Sequence, residues 1–320
     1  MDETAFPSLK EEISAPPEEI LYADQQGFLV APGEDVEEVL ARVKKTREGT
    51  EKFSRTVTKE GVVIDGIPIR EQDRMTGEFL APMLDTVEDC YGIRPEWMPA
   101  FFIQKGLGVF GGGGMFTGDD PETGGTVTFF VLRNAFRKSR TWLIYDRDEI
   151  MLHEYCHSAR YGFTEPVFEE VLAYRSGKSR FRKYMGGAFR SVWRTRLLVI
   201  SLVLFWLALL LQIFGGWPRT EFLLKLPMPV FFLCMAVDGI FRQTQANRAC
   251  LNLSAVFGED TEAVLLRLAD DEIQRFSRKK FRNPSAIISE IRCCGKILRW
   301  QVIVHRFFQS PDQQHDSTEK

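Results

Sequence analysis

The sequence predicts an α+β fold. It combines a small mixed sheet, a histidine-bearing helix and a glutamate-bearing helix with a transmembrane helical hairpin and a helical C-terminal part. Three observations predict this fold. Short apolar runs rich in β-branched and aromatic residues, typical of strands, lie between residues 62 and 145. An uncharged apolar run occupies residues 197–214. Apolar residues recur at helical spacing in 261–278 and in 285–308.

These patterns divide the chain into segments. The first twenty residues are acidic and contain Pro7, Pro16 and Pro17, a composition typical of a mobile tail, and they lack the apolar stretch of a signal peptide. The expected segments are a disordered acidic tail at 1–20, a mixed α+β domain at 21–195, a transmembrane hairpin at 196–241, a helical cytoplasmic region at 242–308 and a disordered tail at 309–320.

Composition excludes several classes of protein. The net charge is only −3, so no nucleic-acid partner is expected. The six cysteines show no CxxC spacing typical of metal ligands, and Cys293 and Cys294 are adjacent, so no disulfide framework is expected. The soluble part is therefore predicted to lie in the reducing cytosol.

The elements of the mixed domain follow from apolar spacing and turn residues. The pattern predicts a helix over 34–55, a hairpin at 62–69, a helix over 71–91, and strands at 98–105, 126–133 and 141–145. The glycine-dense segment Gly106–Gly114 matches no complete phosphate-binding fingerprint. Because glycine permits unusual backbone angles and close approach, this segment is predicted to be a turn or mobile flap beside the functional site.

The most informative pattern is His153-Glu154-Tyr155-Cys156-His157, which reads HExxH. Residues four apart lie on one face of a helix, so both imidazoles can point at a single metal ion. Glu154 lies about 100° round the helix from His153, close enough to hold a metal-bound water. Cys156 points elsewhere and is predicted to be a small buried residue.

A catalytic zinc site needs three protein ligands and one open position. The chain has four histidines, and none lies between His157 and His305. The third ligand is therefore expected to be a carboxylate. Glu165, Glu169 and Glu170 all follow the motif closely enough to supply it.

Residues 141–175 resemble the gluzincin metallopeptidases, in which a second helix supplies a glutamate ligand in the pattern Glu-x-x-Ala. Glu170 and Ala173 fit that pattern, whereas Glu169 does not. The resemblance implies a zincin-like metallopeptidase domain over 21–195, consisting of a small mixed sheet, the HExxH helix and the Glu-bearing helix. It implies one Zn²⁺ per chain, held by His153, His157 and Glu170.

The resemblance also implies hydrolysis of peptide bonds by a zinc-activated water, with Glu154 as general base. Tyr145, Tyr161 and Tyr174 are candidate donors to the oxyanion, and the sequence does not choose among them. Tyr174 stands where several gluzincins carry an acid that orients a ligand histidine, so that role falls to another residue. The strand 126–133 is expected to be the edge that aligns an extended peptide.

The run 197–214 spans about 27 Å at about 1.5 Å per residue, close to the thickness of a bilayer core. It predicts a first span over 196–215. A second span over 222–241 is expected, although Lys225 and Asp238 interrupt it. This segment alternatively forms an interfacial or re-entrant structure.

Charge around the hairpin predicts its orientation. Residues 175–196 are strongly basic and contain no acid, so the positive-inside rule places them in the cytoplasm. The metal-site domain and both termini are then cytoplasmic as well. The helical segment 285–308 is basic and aromatic, and it lies either on the membrane surface or against the catalytic domain. His305 is expected to be structural or on the surface.

The leading hypothesis is a membrane-anchored zinc metallopeptidase that acts on a polypeptide near the lipid bilayer. We see no acidic pair placed to bind a free amino terminus, which favours an endopeptidase. One alternative is a non-proteolytic zinc-binding membrane scaffold or sensor. Another is a two-helix membrane adaptor in which the HExxH match is accidental.

Overall fold

A computed structural model describes residues 9–57, 61–64, 67–107, 111–119, 126–164, 167–175, 177, 192–214 and 218–308. Its first half contains α1 (Leu9–Glu12), α2 (Glu18–Gln25), α3 (Val36–Thr56), β1 (Val62–Ile64), β2 (Ile67–Ile69), α4 (Gly77–Tyr91), β3 (Ala100–Ile103), β4 (Gly113–Asp119), β5 (Thr126–Arg133), β6 (Thr141–Trp142) and β7 (Tyr145–Asp146). The second half contains α5 (Arg147–Ala159), α6 (Glu169–Ala173), α7 (Val192–Ile213), α8 (Pro218–Lys225), α9 (Pro227–Phe257), α10 (Thr261–Arg267), α11 (Asp270–Phe276), α12 (Pro284–Cys294) and α13 (Leu298–Phe307). The α+β prediction is confirmed.

The largest sheet has three strands in the order β3-β5-β4, with β5 parallel to β3 and antiparallel to β4. The expectation that strand 126–133 forms an edge is wrong, because this strand is β5 and lies in the middle. Its side chains are buried on both faces, which is the usual property of a central strand. Among the described residues, the edge nearest the HExxH helix is β4, formed by the end of the glycine-dense segment and the residues after it.

Helices cover both faces of this sheet. On one face α3 packs Phe53 on Phe129, with ring centroids 5.0 Å apart. On the other face α5 packs Tyr155 on Phe130, with centroids 6.1 Å apart. The motif helix α5 is thus seated directly on the sheet, and its position is fixed by aromatic packing. The predicted hairpin at 62–69 is confirmed as the antiparallel pair β1–β2, and its turn residues lie outside the described residues.

One hydrophobic core joins the predicted mixed domain to the predicted C-terminal region. Leu9, Tyr155, Leu253 and Trp300 all belong to it. The boundaries at 195 and 242 therefore do not separate independent cores. Within the segment predicted as a disordered tail at 1–20, residues 9–12 form α1 and α2 begins at Glu18, and Leu9 of α1 is almost fully buried. Residues 1–8 and the expected tail at 309–320 lie outside the described residues.

The C-terminal helices pack inward. Segment 285–308 is broken into α12 and α13, and Trp300 and Ile303 of α13 are fully buried. Of the two alternatives for this segment, packing on the folded domain is therefore the one observed. His305 has a structural role, because its Nε2 lies 2.9 Å from the carbonyl oxygen of Ile13.

Two helices are long and apolar enough to cross a membrane. The first apolar stretch, Arg196–Ile213, has a mean hydropathy of 2.4. The most apolar stretch within residues 219–267 has a mean hydropathy of 1.7. The second hydrophobic segment is divided at Leu226 into α8 and α9, and α9 continues beyond 241 into the folded domain. Asp238, which interrupts the apolar run, is accommodated by ion pairs to Arg194 and Arg242, both at 2.8 Å.

Candidate metal centre

The HExxH residues lie on α5, whose start is fixed by its sequence. The Asp146 carboxylate accepts hydrogen bonds from the backbone N–H groups of Asp148 at 2.9 Å and Glu149 at 3.3 Å. Such an N-cap satisfies donors that a helix leaves unpaired, and the acids of the first turn suit the helix dipole. The helix begins at Arg147 and contains both His153 and His157, which are four residues apart and therefore share one face.

The Glu-bearing helix α6 is short: it begins at Glu169 and contains only five residues. Glu165 and Pro166 lie outside the described residues, so the structure does not test Glu165 as a ligand.

His153, His157 and Glu170 converge on one point. The Nε2 atoms of the two histidines are 3.0 Å apart. One carboxylate oxygen of Glu170 lies 3.7 Å from His153 Nε2, and the other lies 3.6 Å from His157 Nε2. Two ligand atoms about 2.0–2.1 Å from a tetrahedral ion stand about 3.3–3.4 Å apart. The three side chains therefore fit a metal ion by separation as well as by chemical type, since a His₂Glu set is a known catalytic zinc arrangement.

Glu169 has a different task, which the sequence did not assign. Its Oε1 lies 2.8 Å from His157 Nδ1, on the side of the ring away from Glu170. A carboxylate on Nδ1 fixes the tautomer and leaves Nε2 to bind a metal. The orienting role that Tyr174 does not fill is thus occupied by Glu169. The only signal in the sequence was the presence of two adjacent glutamates.

The charges around His157 favour its protonated form when no metal is bound. Burial by itself lowers the pKa of this imidazole. The hydrogen bond to Glu169 and the negative charge of Glu170 outweigh burial, so the pKa is raised above its usual value. A metal ion that bound His157 Nε2 would therefore have to displace a proton, so its binding would depend on pH.

Glu154 lines the same cavity as His153 and is held by the sheet. Its Oε2 accepts a hydrogen bond from the backbone N–H of Met115 in β4 at 2.9 Å. Burial raises the pKa of the Glu154 carboxyl, opposed in part by the charge of His157 and by the Met115 bond. A buried carboxylate with a raised pKa is suited to take up and release a proton.

A cavity of about 190 Å³ opens next to these side chains. Its lining includes Gly111, Gly112, Gly113, Tyr145, Glu149 and Tyr174. Gly111, Gly112 and Gly113 therefore lie beside the site, as predicted, whereas Gly113 and Gly114 belong to strand β4 rather than to a turn or flap. At Gly113 a β-carbon would stand 2.8 Å from the carbonyl oxygen of Val131 and 2.9 Å from Ile150 Cγ2, so glycine lets this backbone lie close to both β5 and α5.

The structure separates the three candidate tyrosines. Tyr145 and Tyr174 line the cavity, and the Tyr174 ring lies 4.3 Å from the ring of His153. Tyr161 is 49% exposed and does not line the cavity. Cys156 is fully buried and lies outside the ligand cluster, as predicted.

Comparison of the chain with protein-family models, with curated proteins and with solved structures found no significant match. The identification of the metal centre therefore depends on the geometry of His153, His157 and Glu170. The gluzincin resemblance of residues 141–175 stays a prediction.

Proposed function

We propose that this chain is a zinc-dependent metallopeptidase, an endopeptidase anchored in a membrane by the hairpin of α7 to α9. The observation that carries the proposal is the convergence of His153, His157 and Glu170 on one ion-sized gap with Glu154 beside it. A purely structural zinc site is closed by four protein ligands and has no use for an adjacent buried carboxylate. The non-proteolytic scaffold leaves Glu154 without a role.

In the proposed reaction, the zinc ion and the Glu154 side chain have separate roles. Zinc, when bound, supplies a Lewis acid that polarises the scissile carbonyl and lowers the pKa of water. Glu154 takes the proton of the attacking water and passes it to the leaving amine. Since the Met115 N–H binds Glu154 Oε2, we assign the proton transfer to Oε1.

A tyrosine is proposed to stabilise the developing oxyanion. Tyr145 and Tyr174 line the cavity and are the two candidates. Removing one oxyanion donor typically lowers kcat about 10²- to 10³-fold. We expect this loss in Tyr145→Phe or in Tyr174→Phe, and no change in the matched control Tyr161→Phe. Steady-state kinetics on a peptide substrate measure it, and full activity in both cavity variants would exclude tyrosine from this step.

The substrate is proposed to be a polypeptide near the bilayer that pairs with β4 rather than with β5. The edge strand β4 is tied to Glu154 at Met115, so a peptide lying along it passes the cavity. The exposed apolar surfaces of α7 and α9 support insertion in lipid, and the basic residues Arg194 and Arg242 at one end support a cytoplasmic metal site. Retention of the chain in membranes washed with alkaline carbonate tests the insertion.

The proposed site and reaction are tested by measuring zinc and peptidase activity in detergent-purified protein. We expect one zinc per chain in the wild type, much weaker binding in Glu170→Gln, and retained zinc without activity in Glu154→Gln. Glu259→Gln, an exposed glutamate after α9, is the matched control and should behave as wild type. Peptidase activity that persists in Glu154→Gln would overturn the mechanism. One zinc without activity in the wild type would favour the scaffold.

A further inference from the structure

We infer that the proposed zinc site extends into the second membrane helix, where Arg242 of α9 is a positioning residue for the ligand Glu170. Arg242 does not contact the metal gap itself. It acts through the backbone that leads into α6, and its effect is therefore on metal affinity rather than on peptide chemistry. The inference depends on the zinc site proposed above but not on proteolysis.

The Glu-bearing helix cannot hold its own position. It has five residues, and Phe168 at its start provides no side-chain cap. Isolated helices shorter than about 12–15 residues are marginal in water, because the first turn fixes several residues for one hydrogen bond. Contacts from other elements must therefore fix the direction of Glu169 and Glu170.

Two side chains of opposite charge hold the start of α6 at Val167. The Asp270 carboxylate accepts from the backbone N–H of Val167 at 2.7 Å and of Phe168 at 3.4 Å. From the other direction, Arg242 Nη1 donates to the carbonyl oxygen of Val167 at 3.2 Å. Both peptide groups of Val167 are thus anchored, two residues before Glu169.

Arg242 is itself fixed to both membrane helices. Its Nε donates to Asp238 Oδ1 at 2.8 Å, one turn earlier on α9, and Arg194 of the α7 helix donates to Asp238 Oδ2 at 2.8 Å. Phe241, immediately before Arg242, is 61% exposed and belongs to the apolar surface of the hairpin. A short series of ion pairs therefore links the end of the hairpin to Val167.

The far end of α6 is held by the same helix. Arg175 donates to Asn247 of α9 at 2.7 Å and to both oxygens of Glu262 at 2.8 and 2.6 Å. The two ends of α6 are thus both bonded to α9, whereas His153 and His157 belong to α5. A shift of α9 relative to α5 moves Glu169 and Glu170 away from the histidines together. Zinc affinity consequently reports on the position of the membrane hairpin.

The test is the zinc dissociation constant of full-length protein in detergent, measured by competition with a chelator. We expect Arg242→Ala to bind zinc about ten- to a hundredfold more weakly, the usual effect of losing an outer-shell partner. Arg248→Ala, an exposed arginine on the same helix, should bind as wild type. Wild-type affinity in Arg242→Ala would overturn the inference and leave the proposed peptidase intact.

A double-mutant cycle separates positioning from a general loss of structure. In a Glu169→Gln/Glu170→Gln background both carboxylates of α6 are already lost, so adding Arg242→Ala should weaken the residual zinc binding no further. An equal loss in both backgrounds would show that Arg242 does not act through the carboxylates of α6. If Arg242→Ala does not fold, Arg242→Lys replaces it, because lysine lacks the fork that reaches Asp238 and Val167 together and should give a smaller loss.

The outcomes distinguish this inference from the proposed function. Zinc binding in the wild type with the predicted loss in Arg242→Ala supports the inference even if no peptide is cleaved. Absence of zinc from the wild type, even after zinc addition, would overturn both.

Discussion

At the scale of single residues, two adjacent glutamates perform different tasks on one histidine. Neighbours on a helix point about 100° apart, so Glu169 and Glu170 cannot approach His157 from the same side. Glu169 contacts Nδ1 at 2.8 Å, and Glu170 faces Nε2 at 3.6 Å. The first holds the ring in place, and the second completes the proposed ligand set. The site therefore depends on the rotation of a very short helix.

Glu169→Gln should weaken zinc binding about ten- to a hundredfold at about pH 8, because a neutral amide holds the imidazole less firmly than a carboxylate. The loss should shrink as pH falls. Glu169 raises the pKa of His157 in the metal-free protein, so the variant has a lower His157 pKa and less proton competition at acidic pH. Zinc titrations across a pH series measure this, and parallel wild-type and variant profiles would contradict it.

The same pKa shift has a consequence for the metal-free protein. A histidine whose pKa is raised on folding contributes stability that is full below its unfolded pKa, about 6.5, and is lost as pH rises through the folded value. We expect chelator-treated wild type to lose this part of its stability on going from acidic to alkaline pH. Glu169→Gln should show a smaller loss, measured as the pH dependence of the thermal midpoint.

At the scale of elements, the sheet is sandwiched between α3 and α5, and the approach of α3 depends on one glycine. Gly49 lies in the middle of α3, where glycine ordinarily costs about 1 kcal/mol relative to alanine. A β-carbon at Gly49 would stand 2.5 Å from the carbonyl oxygen of Thr126 in β5. The obstacle is backbone, which cannot rotate away as a side chain can.

Gly49→Ala should therefore destabilise the protein by about 1–3 kcal/mol, the usual range for overpacking, despite the better helix propensity of alanine. The matched control is Gly77→Ala in the first turn of α4, where an added β-carbon meets nothing within 4 Å. That change should be neutral or stabilising by up to about 1 kcal/mol. Chemical unfolding of both variants beside the wild type measures the difference, and a stabilised Gly49→Ala would contradict the close approach.

At the scale of the whole molecule, the N-terminal and C-terminal parts are joined through a buried acid. Asp24 of α2 pairs with Arg267 of α10 at 2.7 Å and also with Arg306 of α13. Asp24 and Arg267 are each only 1% exposed. The carboxylate thus lies between two guanidinium groups contributed by the far end of the chain, and the core closes around all three.

Asp24→Asn should destabilise the protein by about 3–5 kcal/mol, because the buried Arg267 and the partly buried Arg306 lose their counter-charge. The matched control is Asp85→Asn, which removes an acid that is 63% exposed and pairs with Arg94 at 2.6 Å. Exposed ion pairs contribute about 0–1 kcal/mol, so the control should unfold close to wild type. Comparable midpoints for the two variants in urea would argue against the buried network.

The sequence by itself determined what depends on local spacing. A separation of four residues fixes the common face of His153 and His157 in any α-helix, and the first acids after Asp146 mark where that helix begins. The β1–β2 hairpin and the apolar run of α7 follow from spacing and composition in the same way. These features need no knowledge of what each element packs against.

Only the tertiary structure decided which elements become neighbours. The gluzincin resemblance singled out Glu170 as the candidate third ligand, but the contact of Glu169 with His157 Nδ1 depends on the rotation of α6. Asp270 fixes that rotation from a position 103 residues along the chain from Val167. The central place of β5 and the burial of Trp300 depend in the same way on distant partners. The spacing of apolar residues predicts which face of a helix or strand is buried. It does not predict which other helix or strand packs against that face. Contacts between residues far apart in the chain therefore decided the geometry of the site.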